Sequence, residues 1–297
     1  MRKKSLPQKK SFSSSNHQKH APKPFEKKEY SKEFSHTQPI NRAFSKGAIW
    51  IYGTHPTLHA LKNPRRTLRR LLVLQKNSVE LLAFLEKSVA PEILSNLSID
   101  IVPEDEFNVL PKDVLHQGLA LLTSPLKDVF LEDLLEDNPE GPMTLLFLDQ
   151  ITDPHNVGAI LRSAAAFEIQ GVCVTERHTP GLNSVLTKTA SGGLEYTPLI
   201  TLKNLSHSLD LLKKHGFWCI GLDERGDQNL SDITIPDRVV FVLGSEGEGL
   251  RRLSREKCDF LSKIPTCPLF PTLNVSVSAA ICLYENKRQK LKSVPTL

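Results

Sequence analysis

No run of the 297-residue chain stays apolar for the ~20 residues that a bilayer-crossing helix requires, and the Lys-rich start lacks the apolar stretch of a secretory signal. The expectation is a soluble, cytoplasmic protein with no membrane partner. Cysteine is sparse, and its five positions, Cys173, Cys219, Cys258, Cys267 and Cys282, form no C-x-x-C pair. Reduced core thiols are expected, and no bound metal. Two nucleotide signatures are also missing, G-x-G-x-x-G and G-x-x-x-x-G-K-[ST], which excludes the usual dinucleotide fingerprint and phosphate loop.

What remains is globular in character, with 39% hydrophobic and 24% charged residues. The length suits two domains better than one. Net charge is +5, but residues 1–46 hold twelve Lys and Arg against three Glu, leaving 26 of the 38 basic and 30 of the 33 acidic residues for positions 47–297. That basic tail, rich in Ser, Pro and His and without hydrophobic period, is expected to be disordered. Such arms hold polyanions such as RNA through phosphate contacts, although a solubilising tail has the same composition.

Order begins near residue 48. "AIWIYGTHPTLHALKNP" reads as a strand and a helix, "LRRLLVL" as a strand, "SVELLAFLEKSV" as a helix, "LSIDIVP" as a strand and "EDEFNVL" as a short helix, before "HQGLALLTSP" closes the unit. A small α/β domain over 47–125 is expected. Arg65, Arg66, Arg69 and Arg70 form its charge cluster, suited to an RNA backbone if they share one surface and equally to a solvated strand edge. The acidic "LKDVFLEDLLEDNPEGPM" reads as a linker over 126–142.

From Met143 to about residue 290 the pattern alternates apolar strands, such as "TLLFLDQI", "GVCVT" and "RVVFVLG", with helices such as "NVGAILRSAAAF". That alternation predicts a doubly covered, mostly parallel sheet with its ligand site beyond the carboxyl ends of the strands. Three polar clusters follow strands. In "DQITDPHNVGAILRSA", Asn156 is placed to cap a helix and Arg162, six residues on, to line the same cavity; a capping Asn and a surface Arg would explain the pair as well. In "FVLGSEGEGL", Gly244, Gly247 and Gly249 permit close backbone approach, while Glu246 and Glu248 would repel a triphosphate. The expected ligand is neutral or cationic, a tight strand-to-helix turn being the alternative. In "IPTCPLFPTLNVSVSAAICLYE", Asn274 and Ser276 open an apolar helix, and a cap accounts for only one of them.

In their order and spacing, "LDQITDPHNVGAILRSA", "FVLGSEGEGL" and "LNVSVSAAICLYE" resemble the three motifs of the SpoU (SPOUT-class) RNA ribose 2′-O-methyltransferases across nearly all of 143–288. The preceding segment is similar to the ribosomal-protein-like RNA-binding domain of the ribosomal-RNA branch. The resemblance implies an α/β fold with a deep trefoil knot, S-adenosylmethionine as cofactor, a homodimer with its site near the subunit interface, and methylation of a guanosine in large-subunit (23S) RNA; transfer RNA and a non-catalytic RNA-binding role are the rival readings. It also implies that Gly244, Ile264 and Leu273 hold the cofactor largely through backbone, and that Asn156, Arg162, Glu246, Asn274 and Ser276 line the catalytic site. The family's proposals make Arg162 the base. A guanidinium is a poor one, so a clamp on the target's phosphate or ribose is the reading preferred for it. One departure stands out. The family usually has Gly in the motif-three loop, where this chain has Thr266 and Pro268, and a loop that holds the adenosyl group differently is expected.

Overall fold

The computed structural model describes residues 47–112, 114–176 and 184–292, so the basic tail read from the sequence lies outside the described residues. The N-terminal unit begins with β1 (Ile49–Tyr52), α1 (Thr54–Lys62) and β2 (Leu68–Leu74). It continues through α2 (Ser78–Ser88), α3 (Pro91–Ser95), β3 (Ser98–Val102) and β4 (Leu119–Thr123). Its sheet order is β1-β4-β2-β3, with β2 and β3 parallel and β4 antiparallel to both its neighbours. Alternate residues of β2 serve two cores. Leu71 and Val73 join Leu81 and Leu85 of α2 on one face, while Leu72 meets Phe107 and Val102 on the other. "EDEFNVL" forms a 3₁₀ turn, Glu104–Val109, rather than an α-helix.

The stretch read as a linker holds α4 (Leu131–Asp137). Leu131 and Leu135 are four apart on one face, and both are buried against Met143 and Leu145 of the following strand. An acidic composition concealed that pair: the charges occupy only the solvent face.

The C-terminal sheet has seven strands in the order β7-β6-β5-β10-β8-β11-β9, every pairing parallel. Its strands are β5 (Met143–Asp149), β6 (Gly171–Thr175), β7 (Leu199–Leu202), β8 (Trp218–Leu222), β9 (Gln228–Asn229), β10 (Arg238–Gly244) and β11 (Phe260–Lys263). The continuous apolar runs of β5 and β10 have a direct cause. Leu146 and Leu148 with Val239, Phe241 and Leu243 enter one core, and Leu145 and Phe147 with Val240 and Val242 enter the other.

Helices α5 (Pro154–Ala166), α6 (Ser184–Thr189) and α9 (Val275–Lys292) belong to the first of those faces, and α7 (Leu205–Lys214) and α8 (Arg252–Lys257) to the second. Leu205, Leu209 and Leu212 explain the side α7 buries, and the Asn204 side chain caps its start by accepting from the His207 amide at 3.0 Å. After β11 the chain returns along residues 264–274, past the ends of β8 and β10, to lay α9 against α5. The resemblance assigns a trefoil knot to this C-terminal half without giving its position.

Candidate active site

The loop after β10 folds back on its own strand. Ser245 bridges Gly249, and Gly247 and Gly249 take φ of +92° and +71°, a region that favours glycine. A Cβ on Gly244 would stand 2.0 Å from the carbonyl carbon of Gly249 and 2.3 Å from the amide nitrogen of Leu250. The bare backbone at 244 is therefore what lets this loop close.

Beyond it lies a cavity of about 520 Å³, walled by the ends of β8, β10 and β11 and by residues of the 264–274 loop. Gly244, Ile264 and Leu273, the three positions expected to hold a cofactor, all line it. So does Ser262, whose fully buried hydroxyl has no hydrogen-bond partner. Asp223, Glu224 and Glu246 face it with Arg225 and Lys263. Asp223 is already held by Arg255 Nη2 at 2.6 Å. The volume is that of a small-molecule site. A cationic donor approached by backbone fits the glycine wall, the carboxylates and the orphaned hydroxyl, whereas a triphosphate would meet three carboxylates.

Four of the five residues expected at the catalytic centre form one polar network at the cavity's edge. Glu246 Oε1 accepts from Asn274 Nδ2 at 2.7 Å, from Asn156 Nδ2 at 3.2 Å and from the Val275 amide at 3.4 Å. Asn274 Nδ2 also donates to Asn156 Oδ1 at 2.9 Å. Ser276 joins through Asn274 Oδ1, which accepts from its hydroxyl at 2.6 Å and its amide at 2.9 Å. Asn274 thus caps α9 with its oxygen and ties motifs one and two with its nitrogen.

Asn156 does not cap α5 as expected. Asp153 does, accepting from the His155 amide at 2.9 Å, with Pro154 in the first turn. Asn156 is the third residue of the helix, in its first turn, and its amide reaches Glu246. The structure does not bring Arg162 to the cavity. Six helical residues rotate it about 120° from Asn156, and its side chain is exposed, with no ion pair among the described residues. Ala159 and Ser163 of the same helix line an open apolar strip with Ser276, Val277, Ile281 and Tyr284.

The arginine cluster does not share one surface. Arg66 is buried and paired with Glu195 at 2.7 Å, so its guanidinium is not presented to a phosphate. Arg70 is paired with Asp100 at 2.5 Å; Arg65 and Arg69 are exposed, and Arg65 Nη2 donates to the Glu195 carbonyl at 2.7 Å. Sequence reasoning missed the "LDERGD" segment after β8, which supplies Asp223, Glu224 and Arg225 to the cavity wall. Its signal was the same as that of the three clusters read, polar residues directly beyond a buried strand. Ser262 carried no such signal, because a lone serine inside a strand reads as ordinary. Cys173, Cys219 and Cys282 are buried as expected, but Cys267 is exposed. Among the described residues no three His, Cys, Asp or Glu side chains gather to hold a metal, and no helix is long and apolar enough to cross a membrane.

Pro268, the departure from the family pattern, occupies the second position of a turn closed by the Phe270 amide on the Cys267 carbonyl at 2.9 Å. Proline suits that position and needs no N–H there. Thr266 lines the cavity, its hydroxyl donating to the Pro271 carbonyl at 2.9 Å, while Pro268 does not reach the cavity.

Known proteins match over both units. The SpoU rRNA Methylase family model covers residues 143–284, and the RNA 2′-O ribose methyltransferase substrate binding model covers 50–129. The 23S rRNA (guanosine-2′-O-)-methyltransferase RlmB of Neisseria meningitidis is 38% identical over 243 residues, 81% of this chain and 95% of the relative. The protein of that name from Coxiella burnetii is 35% identical over 83% of this chain and 98% of the relative. Among solved structures, the SpoU methyltransferase AviRb from Streptomyces viridochromogenes in complex with AdoMet shares the fold, with a TM-score of 0.68 at 20% identity over 84% of this chain and 92% of that one. Such identity over nearly the whole length of its relatives, with the three motifs gathered at one cavity, places the chain in a single group: it belongs to the SpoU rRNA methylase family.

Proposed function

We propose that the protein transfers the methyl group of S-adenosylmethionine to a ribose 2′-hydroxyl of ribosomal RNA, at a guanosine of the large-subunit 23S molecule. The observation that carries this reading is the joining of Asn156, Glu246, Asn274 and Ser276 at the mouth of the glycine-walled cavity. The names of the relatives support the choice of RNA and base, and the match of residues 50–129 to a substrate-binding domain supports RNA as the polymer.

S-adenosylmethionine, when bound, supplies a methyl carbon made electrophilic by a positive sulfur. The chain's own residues do the rest. Backbone at Gly244, Ile264 and Leu273 encloses the donor, and the Glu246 network fixes the edge of the cavity at which the ribose arrives. The residues of the Glu246 network would hold the ribose 2′-oxygen in line with the methyl carbon that the bound donor would supply, the hydroxyl proton passing to solvent. Alignment of these atoms is the main contribution the site can make. Arg162 clamps the phosphate or ribose of the target.

The enzyme works as a homodimer. Arg162 stands outside the cavity of its own chain, on the helix that lines the exposed apolar strip with α9, where Val277 and Tyr284 are open to solvent. A second copy covering that strip buries it and meets Arg162. The relatives' ribosomal substrate points to the cytoplasm as the place of action, and exposed Arg65 and Arg69 are the phosphate contacts of the small domain.

Calorimetry with S-adenosylmethionine tests the cofactor, and absence of heat at millimolar ligand would favour a non-catalytic RNA-binding protein. Mapping ribose methylation on ribosomal and transfer RNA in a deletion strain tests the target. Arg162→Lys is expected to lose most turnover, and full turnover would remove any need for a guanidinium. Val277→Glu is expected to give monomers in sedimentation and to abolish methyl transfer; an active monomer would overturn the dimer reading.

A further inference from the structure

Glu195 lies in a short 3₁₀ turn, Gly193–Glu195, between the two units, and its side chain is 4% exposed. One side of this turn faces the small domain. The carboxylate accepts from Arg66 Nη2 at 2.7 Å, from Arg66 Nε at 3.0 Å and from Asn63 Nδ2 at 2.6 Å. The Glu195 carbonyl accepts from Arg65 Nη2 at 2.7 Å. Arg66 Nη1 goes on to the Ser124 carbonyl at 2.8 Å, which ties the fork to the end of β4. Beside it His59 Nδ1 lies 2.9 Å from the Tyr196 hydroxyl.

The other side of the turn is seated on α5. A Cβ on Gly193 would stand 2.8 Å from the Leu161 carbonyl oxygen and 3.1 Å from the Cα of Arg162. Thr197 donates its hydroxyl to the Ile169 carbonyl, just beyond the helix, at 3.1 Å. One short turn therefore joins the RNA-binding domain to the backbone of the helix that carries Asn156 and Arg162.

A buried ion pair is a poor way to add stability, because desolvation offsets much of the attraction and apolar packing would hold as well. What a two-point guanidinium–carboxylate fork adds is direction. We propose that Glu195 is a positioning residue for methyl transfer: by clamping Arg66 and Asn63 it sets the angle between the small domain and α5, so that RNA held by the first presents its ribose in register with the second. This rests on the methyltransferase reading and adds a residue remote from the cavity to it.

The test uses the full-length protein with exposed Cys267 replaced by Ser and spin labels at Lys87→Cys and Lys214→Cys, diluted into unlabelled protein. Pulsed electron resonance is expected to give one narrow distance for the native pair and a broad distribution for Glu195→Gln. In the same variant, turnover on a structured ribosomal RNA fragment is expected to fall tenfold or more while the Kd for S-adenosylmethionine changes less than twofold. Arg66→Lys, which keeps the charge and loses the fork, should fall between the two and serves if Glu195→Gln does not fold. Gly193→Ala, which keeps the ion pair but lifts the turn from α5, should also lower turnover. A broad distribution with unchanged turnover, or a narrow one with lost turnover, would overturn the proposal. If the native enzyme fails to methylate any RNA, the substrate reading fails, and the distance distributions still decide whether Glu195 holds the angle.

Discussion

Glu246 Oε1 gathers three donors, two from the side chains of other motifs and one from the first amide of α9. Removing that acceptor leaves Asn156 and Asn274 without their common partner; water reaches these groups, so the loss is that of the hydrogen bonds themselves, about 0.5–1.5 kcal/mol each, and of the alignment they hold. Glu246→Ala is accordingly expected to lower kcat on ribosomal RNA by about 10–100-fold, a change that single-turnover kinetics would resolve from cofactor binding. Gly244→Ala acts on the other side of the cavity. Its methyl would strike the carbonyl carbon of Gly249, and the loop cannot yield without opening the donor's wall. A strain of about 1–3 kcal/mol predicts tenfold or greater loss of S-adenosylmethionine affinity in calorimetry, with the circular dichroism spectrum unchanged. Burial also sorts the thiols. It pushes Cys219 and Cys258 up to about 12 and raises Cys173 and Cys282 further, so none of the four is an effective nucleophile at neutral pH. A thiol-reagent titration of the native protein is expected to show a single fast-reacting group that disappears in Cys267→Ser.

Helices and strands depend on contacts that local pattern shows only in part. Gly158 faces α6, where a Cβ would come within 2.6 Å of the Thr189 Cβ and 3.0 Å of the Ala190 amide nitrogen. Gly158→Ala should therefore cost about 1–3 kcal/mol of stability in denaturant unfolding. The sequence reading of "NVGAILRSAAAF" as an apolar helix with one small residue leaves room for that contact. It could not assign Asn156 correctly, because Asp153, Asn156 and the intervening Pro154 all suit the start of a helix, and the choice depends on where the preceding strand releases the chain. Helix α1 carries His59, whose Nδ1 lies 2.9 Å from the Tyr196 hydroxyl. Burial holds His59 below its ordinary 6.5, the charges of His55 and Lys62 add to the effect, and Glu195 opposes it. The unfolded chain then takes up a proton near 6.5 while the folded chain still resists it, so stability is full above that pH and falls as pH drops toward the folded value. A melting temperature that declines between pH 7 and 5.5 is expected, with a smaller decline in His59→Gln.

At the scale of the whole molecule, the C-terminal sheet carries a core on each face, and Phe147 and Phe241 sit fully buried in them on adjacent strands. Phe147→Ala is expected to cost about 3–5 kcal/mol, read from the midpoint of urea unfolding, because a parallel strand covered on both sides has no solvent into which the cavity can collapse. The same arrangement explains why so much could be read in advance. A strand buried on both faces must be apolar throughout, its ends must turn polar where it meets the site, and those two constraints expose β5, β10 and the three motifs to inspection. That Asn156, Glu246, Asn274 and Ser276 come together, near Gly244 at one cavity, was legible for that reason. Arg162, Arg66 and Glu195 were not. Whether an arginine faces solvent, a phosphate or a carboxylate 129 residues away is set by the rotation of α5 and the docking of the small domain, and neither leaves a trace in spacing. Local chemistry along the chain thus suffices to name most of the strands and helices and the glycine loop after β10, since each depends on neighbours within a few residues. The partners of the charged groups and the place of Arg162 outside its own cavity depend on long-range packing, because a buried charge is defined only by what the rest of the fold brings to it.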